Sequence, residues 1–318
     1  MINAASPKQA RQPSYIKRAR RLNYVKRTWM LYLMLVLPMA FFIIFRYIPM
    51  TNIVIAFKKY NMFKPIWESP WAGLDWFKKA FGMKDFHDAL RNTITLNLLD
   101  LLVGFPAPIL LAIILNELAF KRFKRVTQTI AYMPHFLSWI IISGLAKQLL
   151  APNTGLFNIV LAQSGIPPVD FLGKPNLWVG TYVSLGLWQS VGWNTIIYLA
   201  AITGINPELY EAAEVDGASR IRKVWHVTLP GLRPTIVVLL VLSLGRILGS
   251  EFDRPYALTN PLVTNVSDVI STYVYRVGIR SNQFSLTAAV GLFQSAVCVL
   301  FLIAANITAK RFGERGIW

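Results

Sequence analysis

Three carboxylates, Glu211, Glu214 and Asp216, crowd around the small pair Ala212–Ala213 in a stretch that breaks at Gly217 and ends at Pro230. Small residues let a partner's backbone come close, and the acids give that partner's basic groups a target, so the stretch reads as a docking element or, equally well, as an ordinary amphipathic loop lying at the membrane surface. A second polar set lies inside apolar stretches: Asp100, Lys147 and Arg246, with Glu251 at the outer end of one such stretch. Ionisable groups buried in a membrane are expensive and default to function. Asp100 and Arg246 read equally well as a structural pair between two helices. Because ion-coupled carriers use such residues too, an ion-coupled secondary transporter of a polar solute, with Asp100 and Glu251 handling protons or cations, stays open at this point.

A third set is "WVGTYVSLGLWQSVGWNTIIYLAAITG", in which Gln189 and Trp193 are four apart and share a helical face, while Gly186 and Ser190 open space beside them. An amide with an aromatic platform suits a sugar, whose hydroxyls need hydrogen bonds and whose ring face is apolar. The bland reading is packing, since Gly186 and Ser190 also have the spacing of small residues at a helix crossing. Hydrolytic and metal chemistry find no support. "LGKP" at Leu172–Pro175 lacks the upstream glycine of a phosphate-binding loop, and no H-E-x-x-H or serine-nucleophile motif occurs. His87, His135 and His226 lie in separate segments and Cys298 stands alone in an apolar run, so neither a metal site nor a disulfide is expected. The chain reads as a non-enzyme that needs no cofactor.

The elements that must hold these residues are membrane helices. The 318 residues are 54% hydrophobic and 15% charged, against about 25% charged in soluble domains. Apolar runs recur at the roughly 17–25 residues that a bilayer requires. Six spans are expected: 29–48, 93–118, 129–150, 178–203, 232–249 and 287–309, with kinks at Pro38, Pro106, Pro108 and Pro134. The first is read as retained, because no small-residue cleavage site follows it. The domain plan is a basic tail over 1–28, a six-helix membrane domain over 29–309 containing a polar loop at 204–230, and a tail over 310–318. The net charge of +18 flanks the apolar runs rather than forming one patch, which argues against nucleic acid. The two tails, Lys121–Arg125 and the 204–233 loop together carry 19 basic and 5 acidic residues, against 12 and 8 on the opposite side. The positive-inside rule therefore puts both termini and that loop in the cytoplasm. The outer Arg46–Asn92 segment should be ordered, with Trp67, Trp71 and Trp76 at headgroup level.

The loop has its own local logic. Asn206 caps a helix, Pro207 suits its first turn, and Glu208 and Glu211 favour its positive end. Gly217 ends that helix in the left-handed conformation, Ser219 caps a second one, and Pro230 leads into the fifth span.

"EAAEVDGASRIRKVWHVTLP" resembles the EAA loop of ATP-binding-cassette importer permeases, with Glu211, Ala212, Ala213, Asp216, Gly217, Ala218, Leu229 and Pro230 on the family's positions and Trp225 where Phe is usual. "FRYIPMTNIVIAFKKYN", "SPWAGLDWF", "NPLVTNVSDVISTYVYRVGI" and "AKRFGERGIW" are similar to the subfamily for polysaccharide or complex-oligosaccharide uptake. The resemblance implies an all-α, type I importer permease of six transmembrane helices in a bacterial cytoplasmic membrane. It implies a heterodimer with a second permease, two ATPase subunits that receive the loop as a coupling helix, an extracellular solute-binding protein and an oligosaccharide substrate. It also implies a substrate path through Gln189, Ser190 and Trp193, with Ser250 and Glu251 at the end of the next span.

Overall fold

The computed structural model describes residues 14–249, 251–313, 316 and 317, with side chains from residue 28 onward. Two units divide the chain, 1–54 and 55–318. In the first, α1 (Ser14–Phe42) runs on past Pro38 and continues through a π-helical stretch, Ile43–Tyr47. The apolar stretch Thr28–Phe57 is 30 residues long and its most apolar window is 0% buried. A helix that is apolar all round and unburied belongs in lipid or against another membrane helix.

The second unit opens with α2 (Asp75–Gly82), α3 (Lys84–Gly104) and α4 (Pro106–Glu117). It continues with α5 (Lys121–Tyr132), α6 (Trp139–Leu149), the short α7 (Leu156–Gln163) and the long α8 (Pro175–Thr203). Among the described residues, Thr28–Phe57, Lys84–Glu117, Arg220–Leu244 and Phe284–Arg311 are long and apolar enough to cross a bilayer, and a bent pair makes a fifth if it is counted as one span. The helix α8 has the length, with 29 residues, or about 43 Å at 1.5 Å each. Gln189, Ser190 and Asn194 dilute its apolar content, so it is not among the five.

The kink expected at Pro134 in the third span is present and sharp: Lys121–Phe136 and Trp139–Leu149 meet at 101°. Met133–Phe136 tightens into a 3-10 turn around Pro134, whose missing N–H cannot extend the helix, and Ser138 then caps α6 by accepting from the Ile141 N–H. The Pro106 and Pro108 expectations are met differently. Pro106 opens α4 after the Phe105 junction, and the buried Pro108 offers its carbonyl to Thr195 Oγ1 at 3.3 Å.

Packing centres on α8. Trp178 and Tyr182 join Leu96 of α3 with Trp139 and Ile142 of α6 in one core, while Tyr198 and Ile202 meet Ala112 of α4 and Leu232 in another. Trp178 is 0% exposed, and its ring N–H donates to the Leu258 carbonyl at 3.0 Å. Gly192 of α8 lies so close to the Ala131 carbonyl of α5 that an added Cβ would collide with backbone. Gly192→Ala is expected to cost about 1–3 kcal/mol through overpacking, seen as a lowered melting temperature of the detergent-purified protein. An unchanged melting temperature would show that the α5–α8 crossing has slack.

Within the expected outer segment, residues 55–92 of the second unit are held by specific contacts. Lys58 and Trp71 form an antiparallel bridge, and the buried Lys58 ammonium donates to the carbonyls of Ile66 and Trp67 at 3.0 and 2.8 Å. The Lys58 carbonyl accepts from Trp76 Nε1 and from Ser285 Oγ, tying the segment to the last helix. Trp67 and Trp71 are exposed, whereas Trp76 is half-buried.

Candidate functional site

Two features concentrate the polar chemistry. The first is an elbow that leaves α8 at Thr203. Asn206 accepts from the Glu208 N–H at 3.1 Å to start α9 (Pro207–Val215), with Pro207 at its first turn. The helix closes on Gly217 at φ +70°. There the Ala218 N–H reaches the Ala213 carbonyl at 2.9 Å and the Gly217 N–H reaches Glu214 at 3.0 Å, which satisfies the last carbonyls without a side chain. Ser219 caps α10 (Arg220–Lys223).

The far side of the elbow departs from expectation. Leu229–Pro230 does not interrupt the chain: α10, a π-helical stretch at Val224–Thr228 and α11 (Leu229–Leu244) form one 25-residue helix. The Leu229 N–H bonds five residues back to Val224, and this wide turn accommodates the proline that follows it. Tyr210 Oη pairs with the buried Thr228 Oγ1 at 3.0 Å, and Lys223 Nζ approaches Glu214 at 3.8 Å, so α9 is braced against the helix after it. Gly231 leaves room for Ile205.

Glu211, Ala212, Asp216 and Gly217 are exposed, Ala213, Ala218 and Leu229 are half-buried, and Pro230 is exposed. Val215 is 88% exposed and Trp225 65%. Glu211 and Asp216 have no ion-pair partner among the described residues, whereas Glu214 is turned toward Lys223. The elbow therefore presents uncompensated acids, Glu211 and Asp216 among them, and apolar tips on a braced frame, a surface suited to receiving another protein.

The second feature is a cavity of about 380 Å³ within the second unit. Asn97 and Asp100 line it from α3, Gly186, Ser190 and Asn194 from α8, and Ser243 and Arg246 from α11 and the turn after it. Asp100 is paired, but not with Arg246. Arg254, on α12 (Asp253–Leu258), donates through both terminal nitrogens to the Asp100 oxygens at 2.7 and 3.0 Å. Its guanidinium also donates to the Tyr182 carbonyl and lies 3.7 Å from the Tyr182 ring centre. Gly186 faces it, and a Cβ there would strike the guanidinium. The sequence reading missed Arg254 because it follows the expected fifth span and counts as a loop charge. Its one signal was position: the only arginine of "EFDRPY", hard against a proline.

The expected substrate-path residues separate. Ser190 lines the cavity and donates to the Gly186 carbonyl at 2.7 Å. Gln189 and Trp193 share the neighbouring face and are not among its lining residues; Trp193 stacks on His135 at 4.5 Å between centroids. Glu251 accepts from Trp139 Nε1 at 3.0 Å, and Ser250 lies outside the described residues. Lys147 donates to the Ala257 carbonyl at 3.2 Å. No cluster of metal-ligating side chains occurs among the described residues.

Residues 104–314 match the family model described as binding-protein-dependent transport system inner membrane component. The chain is 43% identical to the polygalacturonan/rhamnogalacturonan transport system permease protein YteP of Bacillus subtilis, over 95% of this chain and 94% of that protein. It is 41% identical to protein LplB of the same organism, over 92% of each. Among solved structures it is similar, at 41% identity and a TM-score of 0.84, to a chain of a bacterial ABC transporter involved in the import of the acidic polysaccharide alginate, covering 92% of this chain and 99% of that one. A related structure, at 40% identity and a TM-score of 0.85 over 93% of this chain and 99% of that one, is the alginate transporter in complex with its alginate pentasaccharide-bound periplasmic protein.

Proposed function

This chain belongs to the family of binding-protein-dependent transport system inner membrane components, and on that premise we propose how it works as the permease of a carbohydrate importer. The chain itself is a non-catalytic, multi-pass translocation subunit of an ABC importer for sugars or oligosaccharides. The observation that carries the mechanism is the elbow. Its acids and apolar tips dock on an ATPase subunit, and because the helix from Arg220 to Leu244 is unbroken, a displacement at Ser219 is carried to Ser243 and Arg246 at the cavity.

In this reading the elbow and both termini face the cytoplasm, two ATPase subunits supply the energy, and a second, different permease closes the passage. A solute-binding protein loads it from outside, a reading supported by the alginate transporter's complex with an alginate pentasaccharide-bound periplasmic protein. The relatives that serve polygalacturonan/rhamnogalacturonan and the acidic polysaccharide alginate support an acidic oligosaccharide as the cargo. The Asp100–Arg254 pair argues against the ion-coupled reading, because it leaves Asp100 held by a fixed cation.

Mild-detergent purification with mass identification of bound subunits is expected to recover an ATPase and a second permease. Uptake into liposomes is expected to require internal ATP hydrolysis. Uptake driven by an ion gradient with no ATPase present would refute the coupling role.

A further inference from the structure

The cavity wall holds three charged side chains, and two of them neutralise each other. Arg254 is 6% exposed, spends both terminal nitrogens on Asp100 and is flanked by the rings of Tyr182 and Trp139. Asp100 faces the cavity, but its charge is met by that guanidinium, so it does not repel an anion there. Arg246 differs on each point. It is exposed, it sits on the turn that closes α11, and no carboxylate reaches it among the described residues. That turn is fixed by the Arg246 N–H on Ser243 at 3.1 Å and by the Gly249 N–H on the Arg246 carbonyl at 2.8 Å. The free guanidinium therefore leaves the cavity with a net positive charge.

Around it stand neutral groups: Asn97, Ser190, Asn194 and Ser243. A guanidinium fork matches a carboxylate with two in-plane donors. Amides and hydroxyls both donate and accept, as ring hydroxyls require. The volume, about 380 Å³, lies within the roughly 300–1,000 Å³ of small-molecule sites. We propose that Arg246 is the specificity-determining residue of a carboxylate subsite in this cavity, which holds an acidic sugar unit in transit. The proposal rests on the sugar-permease reading and adds the residue that selects acidic over neutral sugar.

The test uses the permease pair with its ATPases, purified without the binding protein so that upstream selection is removed. Equilibrium dialysis compares trigalacturonate with its carboxyl-reduced, neutral counterpart. Wild type is expected to prefer the acid, less so at high salt. Arg246→Gln is expected to reduce the acid-to-neutral affinity ratio by about tenfold or more, as loss of a charge-assisted fork implies. Arg246→Lys is expected to recover part of that ratio, keeping the charge without the fork. Recovery by Lys also shows that the site has folded. An unchanged ratio in Arg246→Gln, or equal losses for both sugars, would overturn the proposal and leave Arg246 an assembly contact. ATP-driven uptake by the complete importer separates the two readings: a wild type that transports neither sugar removes the cargo reading itself, whereas one that transports the acid while Arg246→Gln keeps the ratio removes only the subsite.

Discussion

Gly217→Pro or Glu211→Lys is expected to reduce sugar uptake and substrate-stimulated ATP hydrolysis to background, with membrane insertion unchanged. The two act differently. Gly217 sits at φ +70° and its N–H bonds to Glu214. Proline needs φ near −65° and has no N–H, so the turn that sets the angle between α9 and α10 is lost. Gly217→Ala is a graded control. A Cβ at Gly217 meets nothing within 4 Å, so alanine incurs only the left-handed conformation, about 1–2 kcal/mol, and should keep partial uptake. Glu211→Lys leaves the elbow's geometry intact, since Glu211 makes no ion pair among the described residues, and reverses one of the acids it presents. Uptake and ATPase assays on membranes with equal amounts of inserted protein check both. Full uptake in both mutants would remove the coupling role.

The second large effect concerns stability. Arg254→Ala is expected to destabilise the second unit by about 3–5 kcal/mol, the usual result of leaving one member of a buried ion pair unpaired. The loss also uncovers the Tyr182 ring and the space opposite Gly186. Asp100 is less buried, at 29% side-chain exposure against 7% for Arg254. Asp100→Asn, which keeps a hydrogen-bond acceptor, should therefore cost less. Replacing the pair together, Asp100→Leu with Arg254→Met, should recover much of the loss, because apolar side chains of similar volume often match a buried pair. Thermal unfolding in detergent of the single and double variants gives the coupling. An Arg254→Ala protein that melts with wild type would show that the pair does not hold α3 to α12.

Where the sequence alone succeeded, the governing interactions are local or are set by the solvent. The elbow is built from contacts within a few residues: Asn206 to Glu208, Ala218 to Ala213, and Ser219 to Arg222. Backbone capping rules therefore place it without reference to the rest of the fold. The membrane helices are legible for a related reason: a bilayer demands long apolar runs whatever they pack against. Even there α8 is a partial exception, because the polar residues that lower its hydropathy include two that line the cavity.

Long-range geometry was not legible. Asp100 and Arg254 are 154 residues apart, and nothing near either one favours that pairing over Arg246. The pairing follows from α12 folding back against α6, where Leu258 joins the core of Trp178 and Trp139. The same holds for which face of α8 meets the cavity. Sequence spacing puts Gln189 with Trp193 and Gly186 with Ser190, but only the packing of α3 and α11 decides which pair faces the opening. The sequence by itself determined a membrane-spanning helical chain with a capped polar elbow, since both depend on solvent and short-range backbone bonding. The tertiary structure decided that Arg254 neutralises Asp100 and that no carboxylate meets Arg246 among the described residues, since a charge's partner is set by where distant helices come to rest.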